Sequence, residues 1–426
     1  MSFTQRLQEV REGFERPFWI ANLSEIFERL SYYGAFSSLA LYLQEKLSFS
    51  TEQTGTLTGL FGGMVWFLAI FGGAIADKLG FRRALSLAYL ILAAAYFLIG
   101  SIGASWLAPI RNAVPLSFFV GFILILPALG IALVKPCVVG TTARASKENV
   151  RQLGYSIYYT MVNIGGAAGP YLAGVAHDHL GVENVFRVSA LSVFAMFFLV
   201  LLLFREPRKA DDPPPPSVLD VIRNFGKVLW PPKFLIFLLI FTGYWIVFWQ
   251  QYITLPGYIH NSISATVSVE KILVTDGAIV ICLTLLMNFL TKKVPAFQAV
   301  ILGTVISSLS WLVVAFWPTV LGAIFSIAVL ALGEIIQAPR YYEYIATLAP
   351  PEQQGTYMGF AFLPIGIGSL IGGWFGGRLM HHYAEQLHQP QWAWYGITAV
   401  GLLTALLLLI YDRIVKPGRE SQPAAS

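Results

Sequence analysis

The stretch SEIFERLSYYG, Ser24–Gly34, lies inside an apolar run that opens with Phe18-Trp19-Ile20 and closes with Leu39-Ala40-Leu41-Tyr42-Leu43. Two glutamates and an arginine therefore fall within a segment long enough to cross a bilayer. How those charges are tolerated decides how the rest of the chain is read.

The composition makes the membrane setting firm. Hydrophobic residues make up 56% of the chain, charged residues 12%, and the mean hydropathy is +0.65, far too apolar for a soluble domain. Apolar runs of about 20 residues recur twelve times, at 17–45, 53–76, 83–103, 114–143, 153–176, 185–204, 234–259, 270–291, 296–317, 319–348, 355–380 and 391–412. Strands of a barrel would show roughly ten-residue alternation instead, so these runs predict membrane-spanning helices.

Lysine and arginine placement sets the expected orientation. Counted from an inside N-terminus, one side collects twenty of them and the other only Lys46, Arg111, Arg187, Lys271 and Arg378. Both termini are expected to be cytoplasmic, with the chain multi-pass in the inner (cell) membrane. This asymmetry accounts for the net charge of +5, so no nucleic-acid partner is implied. Cys137 and Cys282 both fall within spans and suggest neither a disulfide framework nor a metal site. The N-terminal MSFTQRLQEVREGFERP lacks the apolar core and cleavage pattern of a secretory signal, and the first helix is expected to stay on the protein.

The chain divides near its middle. FREPRKADDPPPPSVLDVIRNFGKVLWPPK, 204–233, carries charges and four consecutive prolines and reads as a stiff solvated linker. The expected organisation is a cytoplasmic segment 1–16, a six-helix bundle 17–205, a linker 206–233, a second six-helix bundle 234–413 and a cytoplasmic tail 414–426. A weak internal repeat agrees: NIGGAAGPYLAGVAHDH in the fifth span resembles GIGSLIGGWFGGRLMHH in the eleventh. Two related halves suit a transporter with a midplane site.

Between the second and third spans, GGAIADKLGFRR places Gly73, Asp77, Lys78, Gly80, Arg82 and Arg83 in a pattern that resembles the cytoplasmic loop of the major facilitator superfamily. Glycine permits the tight turn. Asp77 can pair with a helix N-terminus or with nearby arginines, holding one conformational state together and releasing in the other.

On a helix, Glu25, Glu28, Arg29, Tyr32 and Phe36 recur at i, i+3, i+4, i+7 and i+11 and share a face, with Tyr33 beside it. A charge at the centre of a membrane costs about 2.5–3.5 kcal/mol on insertion scales, so this face must meet protein or water. Arg29 can neutralise one carboxylate in place. In the fourth span, GIALVKPCVVG, Lys135 is the lone cation and supplies the balance for the other. Such a set serves either as a static ion-pair network or as a proton-linked switch in which protonating Glu25 or Glu28 frees a cation.

These residues resemble the proton-coupled oligopeptide transporters of the same superfamily. Glu25, Glu28, Arg29, Tyr32, Tyr33 and Gly34 match that family's first-helix ExxER and Tyr-Tyr-Gly, Lys135-Pro136 its fourth-helix Lys-Pro, and Tyr158, Tyr159, Asn163 and Gly165 its fifth-helix pattern. Gly333-Glu334, Pro339, Ala349-Pro350 and Gly359 resemble its tenth helix and the segment after it. The resemblance implies an all-α fold of twelve transmembrane helices in two six-helix pseudo-repeats. It implies proton coupling through Glu25, Glu28, Arg29, Lys135 and Glu334, with Tyr32, Tyr33 and Asn163 lining the substrate cavity. Trp66 stands where the family usually has a pocket tyrosine.

Four departures bear on the substrate. Phe36 replaces a common arginine, and the seventh span carries Trp249-Gln250-Gln251 in place of an acidic residue. Ala361 replaces a frequent tryptophan, and the linker is too short for the two extra helices of many bacterial members. Lys135 can still take a carboxylate and Glu334 an amine. The expected substrate-binding set is thus Tyr32, Tyr33, Phe36, Trp66, Lys135, Asn163, Trp249, Gln250 and Glu334, with Trp245 adding to an apolar wall. Gating is expected at Gly73, Asp77, Arg82, Arg83 and, late in the tenth helix, Arg340 and Glu343, which also suit a local ion pair. Asp276 is expected to be water-exposed near the end of the eighth span. His177, His179, His381 and His382 are expected as solvated helix-end residues.

The expected function is a proton-coupled symporter of di- or tripeptides or a related small zwitterionic or amphiphilic solute, monomeric and in contact with lipid, without a cofactor other than the coupling proton. The alternative is a proton-driven efflux antiporter of lipophilic or drug-like compounds, because GGAAGP, 165–170, also fits the GxxxGP pattern of superfamily exporters. An enzyme is not expected: no Gly-x-Ser-x-Gly or His-Glu-x-x-His occurs.

Overall fold

A computed structural model describes residues 12–207, 232–349 and 354–415. Among these the chain is helical apart from turns and one isolated bridge between Phe14 and Ser146. The long helices are α1 Arg16–Glu45, α2 Thr51–Leu79, α3 Phe81–Ile99, α4 Leu116–Arg144, α5 Arg151–Leu180, α6 Val182–Leu203, α7 Pro232–Phe248, α8 Val269–Thr291, α9 Ala296–Phe316, α10 Val320–Leu348, α11 Leu363–Leu379 and α12 Gln391–Val415. They follow the twelve expected spans in order.

Ten spans among the described residues are long and apolar enough to cross a membrane. The other two helices, α1 and α5, have the length, at 30 residues each. In α1 the hydropathy is diluted by Glu25, Glu28 and Arg29, and in α5 by Asn163, Asp178 and two histidines.

Two helices are less regular than their spans suggest. The seventh span runs on from α7 as two short pieces, Gln250–Ile253 and Leu255–Tyr258, and the second break falls just ahead of Pro256, which has no N–H to continue the ladder. The eleventh is interrupted between Gln354–Phe360 and α11, just ahead of Pro364. Most of the expected linker and the end of the tail lie outside the described residues.

Two compact units form. Among the described residues, one holds the chain up to Ser38 and from Leu68 through the end of α6. The other holds Leu39–Phe67 and the chain beyond the linker, so the first half of α2 belongs with the C-terminal helices.

Within the first unit α3 packs on α4 and α6, and within the second α9 packs on α10 and α12, the same pairing six helices later. The glycine-rich contacts repeat as well. A side chain on Gly165 would strike the Arg29 Cβ and the Ile26 carbonyl, and one on Gly169 the Leu30 carbonyl, so α5 lies directly on α1. In the second unit Gly368 and Gly372 bring α11 equally close to Trp245 and Ile246 of α7. Small residues let helix backbones approach to this distance, which is the physical content of the repeat seen in the sequence.

Candidate functional site

Each unit encloses a polar cluster at membrane depth. In the first, Arg29 reaches two carboxylates from its own helix. Its Nε lies 3.5 Å from Glu25 Oε1, and its Nη2 is in direct contact with Glu28 Oε2, with all three side chains at most 2% exposed. Lys135, half-buried in α4, is an electrostatic neighbour of Glu25, Glu28 and Arg29. Two carboxylates and a guanidinium thus share one enclosed site, with the Lys135 ammonium among their electrostatic neighbours.

The first-helix aromatics continue from it. The Arg29 guanidinium lies 5.2 Å from the centroid of the Tyr32 ring, a cation–π distance. Tyr32 packs against Tyr33 at 5.1 Å and Phe36 at 5.7 Å. Phe36 is fully buried, Tyr33 half-buried against Gly166, and Asn163 half-buried with its amide donating to the Tyr159 carbonyl at 2.9 Å.

Sequence reasoning passed over two members of this cluster. Tyr89 and Tyr96 of α3 are both enclosed, the first beside Ser24 and Glu25, the second beside Glu28, Arg29 and Tyr32. Their signal is two tyrosines seven residues apart, on one helix face, with only aliphatic residues between them.

In the second unit the positions of the two neighbouring glutamines are decided by the broken seventh span. Gln250 Nε2 donates to the Ile246 carbonyl at 2.7 Å and to the Gly372 carbonyl at 3.0 Å, and its Oε1 accepts from the Thr254 hydroxyl. Gln250 is therefore a brace between α7 and α11, its amide bonded to the protein through both its nitrogen and its oxygen. Trp249 is spent similarly, its Nε1 donating to the Ile365 carbonyl at 3.1 Å. Gln251, fully buried, has both amide atoms without a well-formed hydrogen bond. It lies close enough to the Asp276 carboxylate to interact with it, outside aligned hydrogen-bond geometry.

Asp276 is not the water-exposed residue expected. Its Oδ1 is enclosed without a hydrogen-bond partner, as is the Oε2 of Glu334 on α10, and the two acids are electrostatic neighbours. The Tyr244 hydroxyl faces both. Trp66 of this unit packs against Phe362 at 5.5 Å.

The loop after α2 is organised around a residue the sequence did not single out. Both oxygens of Glu206, just past the end of α6, accept backbone N–H groups at the start of α3, from Phe81 at 3.0 Å and Arg82 at 2.9 Å. Glu206 thus takes the helix N-terminus expected for Asp77, which is half-buried and neighbours Cys137. Arg82 also donates to the Leu201 carbonyl at 2.7 Å, and Arg83 is exposed. Gly80 has φ +81°, a left-handed conformation that strains other residues. A side chain on Gly73 would meet Pro136 Cβ at an ordinary 3.8 Å, whereas one on Gly72 would strike the Ala132 carbonyl. In α10, Arg340 and Glu343 form the local ion pair at 2.7 Å.

A second polar network, also unforeseen, joins the start of α2 to the end of α11 in the second unit. Arg378 Nε lies 3.0 Å from Glu52, His260 3.7 Å from Glu45, and Glu385 accepts from Thr51 while facing His381 Nδ1 at 2.6 Å. Beneath it Gly55 and Gly59 meet Gly373 and Gly377 backbone to backbone.

The profile of the Major Facilitator Superfamily matches residues 22–363 and 272–426. The chain belongs to that superfamily. Superfamily relatives align over nearly its whole length. Multidrug resistance protein MdtH of Aeromonas salmonicida (strain A449) is 25% identical over 92% of this chain and 94% of its own. The uncharacterized MFS-type transporter YttB of Bacillus subtilis (strain 168) is 27% identical over 91% and 92%. Among solved structures, the POT family transporter PepTSo superposes with a TM-score of 0.76 at 18% identity, covering 94% of this chain and 98% of that one. The nucleoside transporter NupG superposes with the same score at 12% identity, covering 93% and 99%. At these identities the superpositions speak for the fold. A superfamily member of this fold is a multi-pass membrane transporter of small molecules and not an enzyme.

Proposed function

We propose that this transporter is proton-coupled and works by alternating access, moving a di- or tripeptide or a related small zwitterionic or amphiphilic organic solute. The observation that carries the reading is the enclosed set of Glu25, Glu28, Arg29 and Lys135. With both acids ionised the set is neutral. Adding a proton to either glutamate leaves one cation in excess, and a buried excess charge must find an anion or move. A substrate carboxylate arriving at Lys135 meets that need, which links proton entry to substrate entry. The monomer in the inner membrane, both termini cytoplasmic, suffices for the cycle.

Alternating access also needs contacts that break and re-form. The clasp of Glu52 on Arg378 and Glu45 on His260, above the Gly55/Gly59 and Gly373/Gly377 seam, fits one gate. The Glu206 cap on α3, with Arg82, fits another.

A second reading, proton-driven efflux of lipophilic or drug-like compounds, is favoured by the relatives whose name is multidrug resistance protein. A thermal-shift screen of the purified chain separates them. Stabilisation by di- and tripeptides, and not by amino acids, sugars or lipophilic cations, supports the first reading; stabilisation by lipophilic cations alone replaces it with the second.

A further inference from the structure

Away from both polar clusters, the first unit carries a groove of about 470 Å³ along the seam of α3 and α6. Leu90 and Phe97 of α3 and Leu191 and Phe194 of α6 wall it, all four exposed. Buried Ala93 and Ala190 lie between them, their methyl groups too small to fill the seam. Among the described residues, the one charged side chain lining it is Arg187.

Arg187 stands in the second turn of α6, near the end of a membrane span. Its stem lies on the end of α3, where a side chain on Gly100 would begin 3.0 Å from Arg187 Cγ. Its Nη1 donates to Asn184 Oδ1 at 2.8 Å, a neutral amide that orients the guanidinium and leaves its charge in place. The nearest acid in the sequence, Glu183, folds back over Gly181, where a side chain would begin 3.2 Å from Glu183 Oε2. At the same end of the groove Phe97 stacks on the exposed Trp106 at 6.3 Å, and a tryptophan past the end of a span marks the level of the lipid headgroups. From Arg187 to Phe194 the groove runs about 10 Å along α6 into the apolar part of the membrane.

A guanidinium on a lipid-facing surface is tolerated where its stem lies on apolar side chains and its head reaches the headgroup layer. There its planar array of N–H donors matches the oxygens of a phosphate. We propose that this groove seats a single anionic phospholipid, with its phosphate on Arg187 and one acyl chain laid over the alanines between α3 and α6. Charge selects the lipid class. A phosphate diester with a glycerol headgroup brings one negative charge to one positive charge, whereas a choline headgroup carries its own ammonium to the same place. The proposal needs only a chain that spans the membrane and holds whichever solute is moved.

Two consequences follow from this geometry. One basic residue at a membrane surface favours an anionic over a neutral headgroup about fivefold, so the selectivity rests on Arg187. The acyl chain rests on the small residues, so bulk added at Ala94, which is exposed on the groove wall, displaces it while the arginine stays in place.

The test uses the delipidated full chain in a nonionic detergent, titrated with dioleoyl-phosphatidylglycerol or dioleoyl-phosphatidylcholine, and reads the thermal midpoint together with lipid retention in native mass spectrometry. Wild type should retain a single phosphatidylglycerol and bind it about fivefold more tightly than phosphatidylcholine, with a matching rise in the midpoint. Arg187→Gln should bring the two lipids level, and Ala94→Leu should weaken both. Equal binding of the two lipids by wild type, a preference that survives Arg187→Gln, or phosphatidylglycerol binding untouched by Ala94→Leu overturns the proposal. Inorganic phosphate that stabilises wild type as well as the lipid does overturns it too, since such an anion site has no use for the acyl chain. The wild-type comparison of the two lipids stands even where a variant fails to fold.

Discussion

Glu25 Oε1 lies 3.5 Å from Arg29 Nε, one turn along the same helix, while that same Nε donates to Glu28 Oε2 at 2.5 Å and Nη2 meets the same oxygen. The planar fork thus bonds one enclosed carboxylate with two nitrogens and stays within ion-pair reach of the second, a geometry that a lysine ammonium does not reproduce. Arg29→Gln leaves both acids without their shared partner, and removing one side of a buried pair costs about 3–5 kcal/mol. The variant is expected to lose the monodisperse peak in size-exclusion chromatography, with Arg29→Lys intermediate.

Glu206 caps α3 through two backbone N–H groups. Glu206→Ala is expected to cost about 0.5–2 kcal/mol, the range for loss of a helix cap, read as a lower thermal midpoint. Asp77→Ala, which removes no bond to that helix end, is expected to shift it less.

The adjacent glutamines of the seventh span should respond in opposite ways. Gln250→Leu removes three bonds that tie α7 to α11 and to itself, and each bond is worth about 0.5–1.5 kcal/mol, so the midpoint falls. Gln251→Leu removes an amide that has no well-formed bond, so the midpoint holds or rises. Differential scanning fluorimetry of the two variants side by side checks both.

At Gly165 a methyl group meets the Arg29 Cβ at 2.6 Å and the Ile26 carbonyl at 2.8 Å. Gly165→Ala is expected to destabilise by about 1–3 kcal/mol, the usual cost of overpacking, and Gly166→Ala less, because its nearest neighbour is a Tyr33 ring carbon at 3.4 Å. Thermal denaturation in one detergent compares them.

The span order was legible because apolar length is a strong signal, and the charged face of α1 because a charge in a membrane demands a partner. Lys135 stood out as the lone cation of its run. Asp276 was not legible. It lies only seven residues into its helix, and nothing local tells that Glu334, Tyr244 and Gln251 arrive beside it from other helices. Glu206 was hidden for a related reason: it follows its helix and acts on the start of another, 125 residues earlier in the chain. The two glutamines were adjacent in sequence and indistinguishable there; the breaks around Trp249 and Pro256 turn one toward α11 and the other toward α8.

Proton coupling through the first-helix acids is tested most directly by uptake into proteoliposomes with an imposed pH gradient, using a substrate found by the thermal-shift screen. Wild type should concentrate the substrate, and Glu28→Gln or Glu25→Gln should keep counterflow exchange while losing accumulation above the outside concentration. Concentrative uptake left intact in both variants would contradict it.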